Sequence, residues 1–137
     1  MTAQMYSFQS FGLKNFINIL QSMVKNAKDN VSQVIFNSAT LEVEKAEKEI
    51  LSFYYYIVGA DNEELARYDF DNIIDMLEDN SSKIESILKL LEDKKDKQLY
   101  LQKFYEKLND FYTALVQCKI ELSFINSEID YETNKAS

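Results

Sequence analysis

Histidine, proline and tryptophan are absent from this chain of 137 residues, which also holds only two glycines, one cysteine and one arginine. Without histidine there is no imidazole base and no Ser-His or Cys-His nucleophile pair. The Glu-x-x-His ligands of a helical di-iron centre are missing for the same reason. The scarcity of glycine and proline removes the residues on which hairpin turns and phosphate-cradling loops depend, and neither GxxxxGK[ST] nor GxGxxG occurs. A lone cysteine, Cys118, cannot form an internal disulfide or a multi-thiolate metal site, which points to a reduced, cytoplasmic setting. No Asp-x-Asp-x-Asp-Gly calcium loop is present, so no metal or other cofactor is expected. Residues 1–10 have no basic residue and no apolar run before a small-residue cleavage site, so no signal peptide is read there. No apolar stretch approaches the roughly 18 residues of a bilayer-spanning helix, and no membrane partner is expected.

What is present is 46% apolar and 28% charged, the proportions of an ordinary globular chain. The length predicts one domain over 1–137, with frayed ends at 1–10 and 132–137. Apolar residues recur every three or four positions, the period of a helix that packs on one side. Leu13, Phe16, Leu20, Val24, Ala27, Val31 and Val34 predict a first helix over about 11–36, with Asp29 and Asn30 as weak points that would kink or divide it. Phe36, Ala39, Val43, Ala46, Ile50, Phe53 and Ile57 continue in another phase. That change places a break at 37–40, with Thr40 as the next cap and Gly59 as a left-handed C-terminal residue.

Asp61 and Asn62 offer a cap for a third segment lined by Leu65, Ala66, Phe70, Ile73, Ile74 and Leu77, ending at Asp79-Asn80. A further helix then starts at Ser81 or Ser82, with Glu85 completing a capping box. From Ile84 through Ile87, Leu91, Gln98, Leu101, Tyr105, Leu108, Tyr112, Leu115, Cys118, Leu122, Ile125 and Ile129 one seam persists. A single helix of that span would be roughly 70 Å long, too long for its neighbours to cover, so a break within the charged run 92–97 is expected. The alternative is an elongated shape or a partner chain. The fold class is therefore all-α, an up-and-down bundle of four or five helices.

Charge is unevenly placed. Asp61, Glu63, Glu64, Asp69, Asp71, Asp75, Glu78 and Asp79 face only Arg67 within 61–80, whereas the rest of this chain of net charge −8 is almost neutral. Just upstream stand Phe53, Tyr54, Tyr55 and Tyr56, whose rings point round the whole helix because successive residues are about 100° apart. At least one tyrosine must therefore lie partly outside. Dense carboxylates steer a basic partner, and tyrosine supplies rigid contact area at recognition surfaces.

Tyr54, Tyr55, Tyr56 and the eight acids are accordingly the candidate partner-binding residues. The expected function is a non-enzymatic protein-binding module, an inhibitor or antagonist that occupies a basic, nucleic-acid-binding groove of its partner. Its alternative is a homo-oligomeric scaffold, a homodimer for instance, in which the acidic segment only solubilises. Direct nucleic-acid binding is not expected, since Lys94, Lys95, Lys97, Lys103 and Lys107 are interspersed with Glu92, Asp93, Asp96 and Glu106. A last aromatic series, Tyr100, Phe104, Tyr105, Phe111 and Tyr112, reads as core, with Tyr100 or Phe104 at its exposed edge. Cys118, between Leu115 and Leu122, reads as a buried inert thiol.

Overall fold

The structure, a computed structural model, describes the backbone of residues 13–136 and the side chains along it, apart from those of 13–15, 54, 55, 57, 58, 62 and 130–136. The expected fraying at 1–10 and the packing of Leu13 and Ile57 lie outside the described residues. Five helices and no strand are found among them: α1 (Leu13–Lys25), α2 (Asn30–Gly59), α3 (Asn62–Arg67), α4 (Phe70–Glu92) and α5 (Leu99–Ala136). The chain is an all-α helical bundle. α1, α2, α4 and α5 run alternately up and down, while the short α3 fills the corner between α2 and α4.

Antiparallel pairing of α4 with α5 is visible in a ladder of polar rungs. The Tyr105 hydroxyl donates to Glu92, the Tyr112 hydroxyl to Glu85 at 3.2 Å, and the Lys119 ammonium to Glu78 at 2.7 Å. Each rung lies seven residues from the last on both helices, in opposite directions, which is the repeat of a two-helix seam. Inside this edge run Ile73, Leu77, Ile84, Leu88 and Leu91 of α4 and Leu101, Phe104, Leu108, Phe111, Leu115, Cys118, Leu122, Ile125 and Ile129 of α5, all buried. From α2, Phe36, Ala39, Val43, Ala46, Ile50 and Phe53 enter the same core, and α1 adds Phe16, Ile17 and Leu20. The Phe36 and Phe104 rings stack in parallel at 3.8 Å, and Phe16 stacks on Phe111 at 5.8 Å.

Several boundaries differ from the sequence expectation. The first break falls at 26–29, and α2 passes unbroken through 37–40. Asp29 is the reason: its carboxylate accepts from both the amide and the hydroxyl of Ser32 at 2.8 Å, as an N-terminal cap does. Thr40 caps nothing. It is buried, and its hydroxyl donates back to the Phe36 carbonyl at 2.8 Å. Val31 and Val34 consequently belong to α2 and point to solvent rather than continuing the seam of α1. α2 does stop at Gly59, but this glycine is the last helical residue and its φ lies outside the left-handed region.

The expected break at Asp79-Asn80 is likewise absent, and α4 runs straight through the supposed capping box at Ser82. Asn80 and Ser81 turn inward. Asn80 Nδ2 donates to Glu42 Oε2 on α2 at 2.7 Å, and Ser81 Oγ donates to the Glu78 carbonyl at 3.0 Å and accepts from Lys119 at 2.9 Å. Polar side chains satisfied across the bundle do not need a loop. The break comes instead at Tyr68-Asp69, with Asp69 capping α4 by accepting from the Asn72 amide at 3.1 Å. Ala66 of α3 is consequently exposed.

The break in the charged run 92–97 is found, as turns over 93–97. The seam of α5 is shifted by one residue at its aromatics: Phe104 and Phe111 are fully buried, with Tyr105 and Tyr112 at the side. A ring without a hydroxyl suits the centre, whereas tyrosine reaches a carboxylate at the rim. α5 extends to Ala136.

Tyrosine-carboxylate bonds close the end of the bundle where the α1–α2 and α4–α5 turns meet. Tyr100 donates to Asp29 while Lys28 lies over its ring, and Lys95 sits 4.4 Å from the Tyr105 ring centre. The tyrosine bond foremost, with Ser32 adding to it, holds Asp29 below its ordinary value; bonds from Tyr105 and then Lys95 do the same for Glu92. Tyr100 and Tyr105 are pushed above the ordinary 10 by the same bonds, and Tyr112 chiefly by burial and then by Glu85.

Stability contributed by the lowered carboxylates is present above the usual carboxylate range and lost as pH falls through it. That contributed by the raised tyrosines is present below pH 10 and lost as they ionise. The urea midpoint is expected to fall on both limbs, and Tyr100→Phe with Tyr105→Phe to flatten both. Unchanged limbs in that variant would show that these bonds do not carry the dependence.

Candidate functional site

The tyrosine run lies in the last two turns of α2, where the chain bends through α3 into α4. Phe53 is buried, and its ring lies 5.2 Å from Tyr68 and 5.5 Å from Phe70. Tyr56 leans on Tyr68 with centres 4.8 Å apart and planes at 37°. Its hydroxyl donates to the Glu64 carbonyl at 2.9 Å, and 37% of the residue stays exposed. The side chains of Tyr54 and Tyr55 lie outside the described residues. The corner is thus a four-ring cluster of Phe53, Tyr56, Tyr68 and Phe70 that staples three helices together and leaves one ring to solvent.

Tyr68 was missed at the sequence level, although its place between Arg67 and the capping Asp69, two residues before a core phenylalanine, is a usable signal. Its phenol is pushed above 10 first by burial and then by Glu49, Tyr56 and Asp69.

The eight acids have three different situations. Asp61 caps α3, accepting from the Glu64 amide at 2.8 Å, and Asp69 caps α4. Glu63 pairs with Arg67 one turn on, Asp79 with Lys83 at 3.0 Å, and Glu78 with Lys119 of α5 at 2.7 Å. Glu64, Asp71 and Asp75 are exposed and form no ion pair among the described residues.

Three cations therefore offset three of the eight charges, and the local field is weaker than the bare sequence suggests. Asp71 and Asp75, one turn apart on α4, lie on the side away from buried Ile73 and Leu77, and Glu64 sits on α3 beside Tyr56. The structure brings Tyr56, Glu64 and the capping Asp61 together at one corner. It turns Glu78 instead into the α4–α5 seam, and Asp75 and Asp79 into the groove between α2 and α4.

Chemically, the corner offers hydrogen-bond acceptors, negative charge and one accessible ring face. Among the described residues no group of three or more acids and cysteine is placed to hold a metal ion, and no helix is long and apolar enough to cross a membrane. Comparison with family models, curated proteins and solved structures gives no match to this chain.

Proposed function

We propose that this chain is a non-enzymatic protein-binding module that acts from the cytoplasm, docking its acidic corner into a basic groove of a partner protein and so competing with nucleic acid for that groove. The observation that carries this reading is that Glu64 and Asp71 are exposed without an internal cation, and that the backbone carbonyl of Glu64 accepts from the hydroxyl of the partly exposed Tyr56. Unpaired carboxylates keep their full attraction for an incoming cation, whereas those already paired contribute little to encounter. The tyrosine adds apolar contact, since its inner face is fixed by Tyr68 and its ordering costs little.

Glu64→Lys combined with Asp71→Lys tests this. Neither side chain caps a helix or joins an ion pair, and both stand in the first turn of a helix, so the bundle should stay folded and helical with a slightly lower melting temperature. Capture from a host extract at low ionic strength is expected to retain a basic protein that raised salt releases. The double variant should retain less than about a tenth as much, because two attractions become repulsions. Equal retention would remove the reading. The scaffold alternative draws on a different observation, the exposed valines and leucines of α2 and α4.

A further inference from the structure

Among the described residues, the side of the bundle formed by α2 and α4 carries most of the exposed large aliphatic side chains. Asn80 meets Glu42, and Met76 lines the same groove as Lys45, so the two helices run past one another in opposite directions with a fixed register. That register brings Val31 level with Leu90 and Val34 level with Ile87. Val31 is 60% exposed, Val34 66% and Leu90 58%, and Ile87 is half-buried. No charged side chain occurs from Asn30 to Leu41, in a chain of which 28% is charged. Further along, the groove widens to a volume of about 490 Å3 between Lys45, Lys48 and Glu49 of α2 and Asp75, Asp79 and Lys83 of α4.

We propose that this face binds a second copy of the same chain, side by side and parallel, about a two-fold axis running along the groove. Such an axis lays α2 of one copy over α4 of the other at the same height. Val31 and Val34 then meet the partner copy's leucine and isoleucine. Lys45 and Lys48 then lie opposite the carboxylates at 75 and 79; Lys45 is held by Glu42 and Asp79 by Lys83 within each chain, so Lys48 and Asp75 form the new pair across the axis. Two chains of net charge −8 repel across most of their surface, whereas on this face α2 is uncharged from Asn30 to Leu41 and the groove beyond carries both signs. The arrangement complements itself and matches neither a uniformly basic nor a uniformly acidic partner. Exposed apolar patches rimmed by polar groups mark association surfaces. The acidic corner at α3 stays outside this contact, so the inference does not depend on the docking reading.

Sedimentation velocity from about 1 to 100 µM tests it, a range chosen to span the affinity of a small reversible interface. A reversible dimer is expected. Val34→Asp with Leu90→Asp should weaken it at least about a hundredfold while leaving helicity unchanged, because both positions are solvent-exposed and central to the contact.

A charge swap supplies the second arm. Lys45→Glu with Lys48→Glu should weaken the dimer, and adding Asp75→Lys with Asp79→Lys should restore it. Ile120→Asp with Phe124→Asp, on the outer face of α5, should have no effect. Glu64→Lys with Asp71→Lys should stay dimeric, which separates this outcome from that of partner capture. A monomer at every concentration would overturn the proposal. So would a dimer broken by the α5 variant but not by the α2–α4 variant, or a charge swap that fails to restore association.

Discussion

Phe104→Ala is expected to cost about 3–5 kcal/mol of folding free energy, the usual cost of deleting a fully buried ring whose surroundings cannot collapse into the space. Phe104 stands fully buried where α2 and α5 meet across the core, and its ring lies flat against Phe36 at 3.8 Å with planes 4° apart. Small domains are stable by about 5–15 kcal/mol, so this one change removes a large share of the total. Urea denaturation followed by helix ellipticity measures it.

Phe104→Leu, which keeps more of the volume, should lose less. Combining Phe104→Ala with Phe36→Ala should cost less than the two singles together, by about 0.5–1.5 kcal/mol, because the stacking contact can be lost only once. A loss below about 1 kcal/mol for Phe104→Ala would mean that the centre of the bundle is not packed as described.

The second large effect concerns Cys118. Fully buried between Leu115 and Leu122, its thiol is pushed up to about 12, chiefly by burial and then by Glu121. The thiolate is the reactive form, so a thiol raised that far and closed off from solvent is expected to be alkylated at pH 8 at least about a thousandfold more slowly in the native chain than in urea. Labelling by iodoacetamide, followed by mass spectrometry, reads the ratio. Rapid native labelling would place Cys118 at an opening in the α5 seam and remove its assignment as core. The same experiment at rising urea also reports the global opening of the bundle, since no other cysteine competes.

The inner stripe of each long helix was legible in the sequence. The three-four spacing of Phe36, Ala39, Val43, Ala46, Ile50 and Phe53 survives unchanged in the core, because a buried stripe repeats with the helix whatever it packs against. The turn in the charged run was legible from length: an unbroken helix through it would be roughly 70 Å long, more than the other helices could cover. Helix ends were less so. Thr40, Asn80, Ser81 and Ser82 are chemically capable of capping, and only neighbours distant in sequence decide whether such a side chain starts a helix or is satisfied within one. For Asn80 that neighbour is Glu42, and for Ser81 it is Lys119. Asp29 shows the converse, being read as a weak helix former when its bonds to Ser32 make it the cap that divides α1 from α2.

The candidate site divides in the same way. That one of the three tyrosines must stand outside follows from 100° per residue, and that acids crowd 61–80 follows from counting. Which acids remain available does not. Glu78 and Asp79 are engaged by Lys119 and Lys83, and Lys119 stands 41 positions away from Glu78, so local sequence holds no sign of that pair.

Sequence alone thus determined the helical class, the apolar stripes and the acid-rich segment, since these depend on period and composition within a few turns. Tertiary structure decided where the helices end, which carboxylates are offset, and that valines and leucines from two helices share one exposed face. Those outcomes depend on contacts between residues far apart in the chain, which form only when the whole bundle is assembled.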